Sequence, residues 1–411
     1  MNLLLASGLL LMIGYLTGNL LDKVGIPKII GYIATGIAFS PNTMDMIDLD
    51  MVNSTEPLMQ VCLAFITFEV GGALKWSKIF KREREIINIT LLASIFPMLF
   101  ITGGVFVFGK LFPELLPFDS LTLFLFSLSL GALAAPTEPV ATLAVMHEYK
   151  AKGKVSETVL GVAALDDAVG ILLFSITLSV VSFFNSSGNV SIGMTMLHSL
   201  YQIFGAAIMG IICASILNKF GRLLKIKLEG QWIVFLSAMI VFCAGLSQLL
   251  GIDELLAVMT MGFVVVNWND QQELIFGILE KYTEDLIFLV FFLLSGLHLN
   301  ISTIPQAAVL IGLFVLLRTA GKYTGTGLGA RISGSERSVR KYTAGGLLPQ
   351  GGIVIGLVLS IYGAPGFEDT SELLLTSITG ATVIHELIGP LAAKYSLTKA
   401  GEIKTNQNSP T

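Results

Sequence analysis

Residues 156–184 read SETVLGVAALDDAVGILLFSITLSVVSFF, an apolar run that Asp166 and Asp167 interrupt near its centre. The run is long enough to cross a bilayer, which takes about 20 helical residues. Asp166 lies ten residues after Ser156, a rise of about 15 Å along a helix, so both aspartates fall near the middle of the membrane. A charged side chain there costs at least about 2.5 to 3.5 kcal/mol. The doublet therefore predicts a functional site inside a membrane helix.

The whole chain has the composition of a membrane protein. Of its 411 residues, 54% are hydrophobic and only 13% are charged, whereas about a quarter of a soluble domain is charged. This excludes a soluble enzyme and a disordered or fibrous chain. The net charge of −4, without a basic run, gives no indication of nucleic-acid binding. Cys62, Cys213 and Cys243 lie in apolar stretches and predict buried thiols rather than a disulfide framework.

Length and hydropathy predict an all-α integral membrane protein with thirteen transmembrane helices. The spans lie near residues 2–22, 26–40, 57–75, 85–109, 120–147, 156–184, 195–219, 230–250, 252–267, 283–299, 304–331, 340–363 and 371–397. The first span has neither the positive region nor the clear cleavage site of a signal peptide, so we expect it to be retained.

The positive charges predict the orientation of these spans. All but three of the 25 lysines and arginines fall in loops on one side, if the spans alternate as predicted. The exceptions are Lys110 in a loop on the other side, and Arg318 and Lys322 inside a span. By the positive-inside rule, we expect the N-terminus outside and the C-terminus in the cytoplasm. The expected location is the inner (plasma) membrane.

Two segments of the sequence are similar to each other. One begins Gly25-Ile26-Pro27 and reaches Gly36, and the other begins Gly251-Ile252-Asp253 and reaches Gly262. Seven predicted spans separate the two copies, so the copies would have opposite topology. Inverted-topology repeats are typical of secondary transporters. The alternative is chance similarity between glycine-rich apolar stretches.

Each half of the chain also contains one interrupted span. The first interruption is Ala134-Ala135-Pro136-Thr137-Glu138-Pro139, whose two prolines do not both fit a regular helix. The second is Gly345 to Gly352, which includes Pro349, Gln350 and Gly351. Non-helical backbone at membrane depth is tolerated where it lines a cavity or is covered by protein. Two interruptions in corresponding positions favour an ion site over simple proline kinks.

Two cationic side chains accompany the aspartates. Arg318 and Lys322 are four residues apart, hence on one face of a helix. Arginine stays protonated and is a fixed counter-charge, whereas lysine can exchange its proton. Adjacent helical residues point about 100° apart, so one aspartate can face these cations while the other faces a cavity. Interfacial anchoring of Lys322 and a purely structural Arg318 remain open alternatives.

The doublet predicts proton/cation exchange. The same carboxylate oxygens can hold protons or a desolvated sodium ion, but not both, and this competition couples the two fluxes. Thr137 and Glu138 are candidates for additional oxygen ligands. The only metal expected is the transported ion at Asp167 and Asp166, without a cofactor. If two protons exchange for one cation, each cycle moves one charge, and a potential of 100 mV contributes about 2.3 kcal/mol.

These motifs resemble the monovalent cation:proton antiporter superfamily, in its bacterial sodium/proton antiporter branch. Ala164 to Gly170 is similar to the two-aspartate motif, and Gly321 to Ala330 to the lysine-bearing helix. The interruptions at 136–141 and 349–352 resemble the family's two crossed, discontinuous helices. The resemblance covers nearly the whole chain. It implies that Asp167 is the main cation and proton ligand, that Asp166 pairs with Lys322, and that exchange is electrogenic.

The resemblance also implies a domain organisation and a homodimer. An ion-binding core would move like an elevator against a dimerisation panel in the lipid bilayer. The panel would comprise residues 1–76 and 230–300, the core 85–184 and 305–397, the linking helix 195–219, and a short cytoplasmic tail 399–411. The sequence departs from the family pattern at Glu138, Gln350 and Arg318. These departures leave Na⁺, Li⁺ and K⁺ open as substrates.

Other classes of protein fit the sequence less well. His385-Glu386 begins a zinc-protease motif, but Gly389 stands where the second histidine ligand is required. An intramembrane aspartyl protease needs aspartates on two facing helices, whereas the span aspartates here are neighbours on one. A cation channel needs no proton coupling. We therefore expect a Na⁺/H⁺ antiporter and no enzyme, with a K⁺/H⁺ antiporter as the first alternative.

Overall fold

The computed structural model describes residues 3–41, 43, 47, 52, 54–79, 82–185, 192–223, 228–282, 284–298, 307–351, 354–355, 357–358, 367 and 370–403. Its helices are α1 (Leu3–Lys23), α2 (Lys28–Phe39), α3 (Glu56–Ala73), α4 (Trp76–Ile79), α5 (Glu83–Leu111), α6 (Ser120–Ala132), α7 (Pro139–Glu148), α8 (Lys154–Asn185), α9 (Ile192–Leu223), α10 (Glu229–Leu249), α11 (Glu254–Trp268), α12 (Gln272–Tyr282), α13 (Glu284–His298), α14 (Ala308–Ile332), α15 (Arg337–Gly346) and α16 (Ser371–Lys399).

The chain divides into two compact units. The first comprises residues 1–81 and 198–299, and the second comprises 82–197 and 300–411. Most of the predicted panel falls in the first unit, and the predicted core falls in the second. Their roles as panel and core stay predictions.

Within the first unit, glycines of the two similar segments allow close helix packing. A Cβ on Gly36 of α2 would lie 2.2 Å from the carbonyl oxygen of Leu293 in α13. In the same way, a Cβ on Gly262 of α11 would lie 2.1 Å from the carbonyl oxygen of Phe68 in α3. Only a residue without a side chain permits such backbone contact. The inverted topology of the two copies stays a prediction.

Within the second unit, a ladder of glycines packs α14 against α5. Added Cβ atoms would lie 2.1 Å from the carbonyl oxygen of Leu92 at Gly325, and 2.5 Å from Cα of Pro97 at Gly321. Glycines four residues apart lie on one helix face and let membrane helices approach closely. The contact holds α14 in place within the second unit, where Arg318 and Lys322 are fully buried.

Both predicted interruptions contain non-helical backbone in the structure, although Pro139, Gly345 and Gly346 are helical. The first separates α6, which ends at Ala132, from α7, which begins at Pro139. The second follows Gly346, the last residue of α15, and extends through Gly351. Part of the predicted span 340–363 lies outside the described residues, so continuation of this helix and crossing of the two segments stay predictions.

Seven helices in the described part of the chain are long and apolar enough to cross a membrane. They are Leu5–Lys23, Glu83–Leu111, Lys154–Leu178, Leu200–Leu223, Glu229–Leu249, Ala308–Ile332 and Ser371–Lys399. Four shorter apolar helices accompany them there, at Lys28–Phe39, Ser120–Ala132, Glu254–Trp268 and Asp285–His298. An all-helical fold is confirmed, and the count of thirteen spans stays a prediction.

Helix α12 lies between two predicted spans and was not expected from hydropathy. Its buried residues are Ile275, Ile278 and Leu279, the spacing of a helix with a single apolar face. A search for long apolar runs passes over such a helix because its other face is polar.

Candidate ion-binding site

Helix α8 presents the two aspartates to different surroundings. Asp166 has 0% exposure, whereas Asp167 is partly exposed. Adjacent residues on a helix point about 100° apart, which accounts for the difference. Gly170, one turn further on, brings α8 against the first interruption, since a Cβ there would lie 2.7 Å from Cγ of Pro136.

Asp166, Thr137 and Lys322 form one hydrogen-bonded group. The Lys322 ammonium nitrogen lies 3.2 Å from Asp166 Oδ2, and both side chains have 0% exposure. Thr137 donates its hydroxyl to the same oxygen at 2.5 Å. Lys322 also donates to Thr137 Oγ1 and to the carbonyl oxygen of Ala135, both at 2.7 Å. These contacts use all three donors of the ammonium.

The second oxygen of Asp166 is buried, and the described residues give it no hydrogen-bond partner. A buried carboxylate oxygen requires a donor or a cation, because leaving it unsatisfied is costly. Asp166 therefore combines one oxygen shared by Thr137 and Lys322 with one that can coordinate an ion.

Arg318 ties the two interruptions together through main-chain carbonyls. Its guanidinium donates to Ala134 at 3.0 Å and to Pro136 at 2.8 Å in the first interruption. It donates to Leu348 in the second interruption at 2.6 Å. Carbonyls at the end of a helix lack intrahelical partners, and the planar fork of arginine supplies donors to several at once. Each hydrogen bond described for Arg318 thus goes to the backbone, and a counter-charge role toward the aspartates stays a prediction.

Glu138 lies against the second interruption. Its backbone nitrogen donates to the carbonyl oxygen of Pro349 at 3.0 Å. A Cβ on Gly351 would lie 2.5 Å from Glu138 Oε2, so glycine leaves room for this carboxylate. Gln350 is fully buried and donates to the carbonyl oxygen of Leu133 at 2.8 Å. The second interruption thus contributes contacts from three successive residues.

The second unit accordingly contains all the site residues expected from the sequence, and it brings most of them into direct contact. Two parts of this arrangement were missed. The carbonyls of Ala134, Ala135 and Leu348 have no sequence signal, because every residue carries a carbonyl. The Thr142 hydroxyl donates to the carbonyl oxygen of Gly346 at 2.8 Å, and a lone threonine in a helix gives no indication of such a contact.

The profile of the family described as "Sodium/hydrogen exchanger, transmembrane" matches residues 8–397. The chain belongs to this family. The exchanger is therefore a multi-pass membrane protein for cation/proton antiport, and it is a transporter rather than an enzyme. The resemblance to monovalent cation:proton antiporters is thereby confirmed.

Individual relatives agree with this assignment. The exchanger is 23% identical over 395 residues to the Na⁺/H⁺ antiporter ApNhaP of Aphanothece halophytica, with 90% of this chain and 68% of that protein covered. It is 21% identical over 398 residues to the Na⁺/H⁺-K⁺ antiporter GerN of Bacillus cereus, with 94% of each covered. Its fold is similar to that of the sodium proton antiporter MjNhaP1 from Methanocaldococcus jannaschii, with a TM-score of 0.72 at 19% identity and 100% of both chains covered.

Proposed function

We propose that this exchanger transports Na⁺ against protons at Asp166 and Asp167, and that exchange is electrogenic. The observation that carries the proposal is the fully buried ion pair between Lys322 and Asp166 beside the two chain interruptions. Asp167 is the main ligand for the cation and for a proton. The Thr137 hydroxyl and the Glu138 carboxylate supply further oxygen atoms.

Charge balance follows from the groups in the site. When Na⁺ binds between the aspartates, Lys322 leaves Asp166 and releases the proton of its ammonium, and Asp167 releases the proton of its carboxyl. Two protons leave as one Na⁺ enters, so one net charge moves in each cycle. A membrane potential of 100 mV then contributes about 2.3 kcal/mol to exchange.

Arg318 keeps its charge throughout this cycle. Arginine is not deprotonated under physiological conditions, and each of its three guanidinium nitrogens donates to a carbonyl of one of the interruptions. It holds the two interruptions together while Lys322 takes part in proton exchange.

Access alternates by an elevator-type movement of the core, residues 85–184 and 305–397. In the same proposal, residues 1–76 and 230–300 form the panel of a homodimer in the inner membrane, with the N-terminus outside. The similarity to MjNhaP1 supports the helical fold on which this proposed organisation is built.

K⁺ is the second candidate for the transported cation. A relative covered over 94% of its length bears the name Na⁺/H⁺-K⁺ antiporter. Both cations favour oxygen ligands, so the donor set alone does not separate them.

Proteoliposomes with an internal pH dye and a voltage dye test the proposal. Pulses of Na⁺, Li⁺ and K⁺ are given in turn, and the Asp166→Asn/Asp167→Asn double variant serves as the inactive control. We expect Na⁺ to drive proton movement and to generate a potential. Proton movement without a potential would contradict electrogenic exchange, a stronger response to K⁺ would select the second candidate, and no response to any cation would refute the function.

A further inference from the structure

The chain beyond α16 turns back toward the start of α8. Gly401 has φ of +78°, and its nitrogen donates to the carbonyl oxygen of Thr398 at 3.0 Å. The nitrogen of Glu402 donates to Leu397, also at 3.0 Å. This pair of hydrogen bonds with a left-handed glycine ends a helix and redirects the chain. Glu402 is thereby directed at the first turn of the helix that carries Asp166.

Both carboxylate oxygens of Glu402 cap that first turn. Oε1 accepts from the backbone nitrogen of Val155 at 2.6 Å. Oε2 accepts from the backbone nitrogen of Ser156 at 2.8 Å and from its hydroxyl at 2.6 Å. Amides in the first turn of a helix have no intrahelical acceptor, and negative charge is favourable there. We call these contacts the Glu402 cap.

The residues around the cap leave it little freedom. The nitrogen of Lys152 donates to the carbonyl oxygen of Glu402 at 3.2 Å. A Cβ on Gly153 would lie 2.4 Å from Cδ of Glu402, so a larger residue at 153 would displace the carboxylate. Glu402 is thus held both through its side chain and through its backbone.

Helix α16, which ends in this cap, also supports the second interruption. A Cβ on Gly389 would lie 2.7 Å from Cγ of Pro349, and a Cβ on Gly345 would lie 2.0 Å from Oγ of Ser396. The Glu402 cap therefore joins the start of α8 to the helix that packs against Pro349 and α15. The cap thus links α8, which carries Asp166, to α16, which packs against the second interruption.

The position of α8 matters for Asp166 because the contacts of this residue are short. Its Oδ2 lies 3.2 Å from Lys322 and 2.5 Å from Thr137. Ser156 and Asp166 are about 15 Å apart along one continuous helix, so a shift of the first turn is transmitted to the carboxylate. We infer that Glu402 is a positioning residue for cation exchange, acting through α8, and this inference rests on the function proposed above.

A second carboxylate at the same end of α8 provides a matched control. Glu336, the residue before α15, forms an ion pair with Lys154, but these side chains are 58% and 51% exposed. Exposed ion pairs contribute little, since solvent screens them and flexible side chains must be ordered. Removal of this pair therefore tests whether any lost charge at this end of α8 has the same effect.

The experiment compares Glu402→Ala, Glu402→Gln and Glu336→Gln with the wild type in proteoliposomes. Sodium-dependent proton movement is measured across Na⁺ concentrations and pH values, with equal protein amounts. Glu402→Ala should raise the KM for Na⁺ by about fivefold, near the lower end of measured couplings between distant sites, and should shift the pH profile. Glu402→Gln retains one acceptor oxygen and should have an intermediate KM. Glu336→Gln should match the wild type.

Several results would overturn the inference. An unchanged KM and pH profile in Glu402→Ala, or a fall in maximal rate alone, would reduce Glu402 to a structural role. A change in KM in Glu336→Gln equal to that in Glu402→Ala would show that loss of any carboxylate at this end of α8 has the same effect. Hydrogen exchange of the amides of residues 155–158 measures the cap without transport, and unchanged exchange in Glu402→Ala would show that no cap exists. A wild type without cation-dependent proton movement would instead refute the proposed function, and hydrogen exchange would still test the cap.

Discussion

The ammonium of Lys322 and the carboxylate of Asp166 lie 3.2 Å apart with no exposure of either side chain. Loss of one partner from a buried ion pair leaves an uncompensated charge, which costs about 3 to 5 kcal/mol. Replacement of both partners by neutral groups removes that penalty. We therefore expect the two residues to be strongly coupled in their effects on stability.

The first prediction concerns this coupling. Lys322→Gln and Asp166→Asn should each lower the thermal unfolding temperature in detergent, because each leaves one buried charge unpaired. The double variant should be more stable than the sum of the single effects predicts. Independent, additive losses would contradict a direct interaction between the two side chains.

The second prediction concerns Asp167. Asp167→Asn should abolish sodium-dependent proton movement in proteoliposomes while the protein folds normally, because the amide cannot release a proton or carry the charge that holds Na⁺. Asp119→Asn is the control, since Asp119 caps α6 and asparagine caps equally well. Exchange at the wild-type rate in Asp167→Asn would refute the assigned ligand.

The third prediction concerns Arg318. Arg318→Gln should lower the unfolding temperature strongly, because each buried carbonyl that loses its donor costs about 1 to 3 kcal/mol. Arg318→Lys keeps the charge, but one ammonium does not reproduce the three-way fork, so stability should recover only in part. Arg331→Gln, an exposed change on the same helix, should leave stability within about 1 kcal/mol of the wild type. Full recovery in Arg318→Lys would show that charge alone matters.

The fourth prediction concerns Gly351. Gly351→Ala places a methyl group 2.5 Å from Glu138 Oε2, so the carboxylate must move. We expect a higher KM for Na⁺ in proteoliposomes, because Glu138 supplies one of the proposed oxygen ligands. Gly312→Ala serves as the control, since a Cβ at Gly312 meets nothing within 4 Å. Equal KM values for Na⁺ in both variants would contradict the assignment of Glu138 as a ligand of the ion.

Much of the candidate site was predictable from the sequence, because charged residues are rare within apolar membrane spans. Asp166, Lys322 and Arg318 stand out in apolar spans, where a charged residue is costly and rarely accidental. Prolines 136 and 139 marked the first interruption, because proline removes backbone donors. Neither argument predicts a role for Thr142 or Glu402. A threonine is ordinary in the first turn of a helix, and a glutamate is ordinary in a polar segment.

The helical membrane class, the two interruptions and the charged residues of the site were predictable from local sequence properties, namely hydropathy, proline chemistry and the cost of buried charge. By contrast, the hydrogen bonds of Arg318 to Ala134, Pro136 and Leu348 became known from the folded structure. The same holds for the capping of α8 by Glu402. These contacts join residues 30 to 247 positions apart to backbone groups that every residue carries, so packing selects which residues meet.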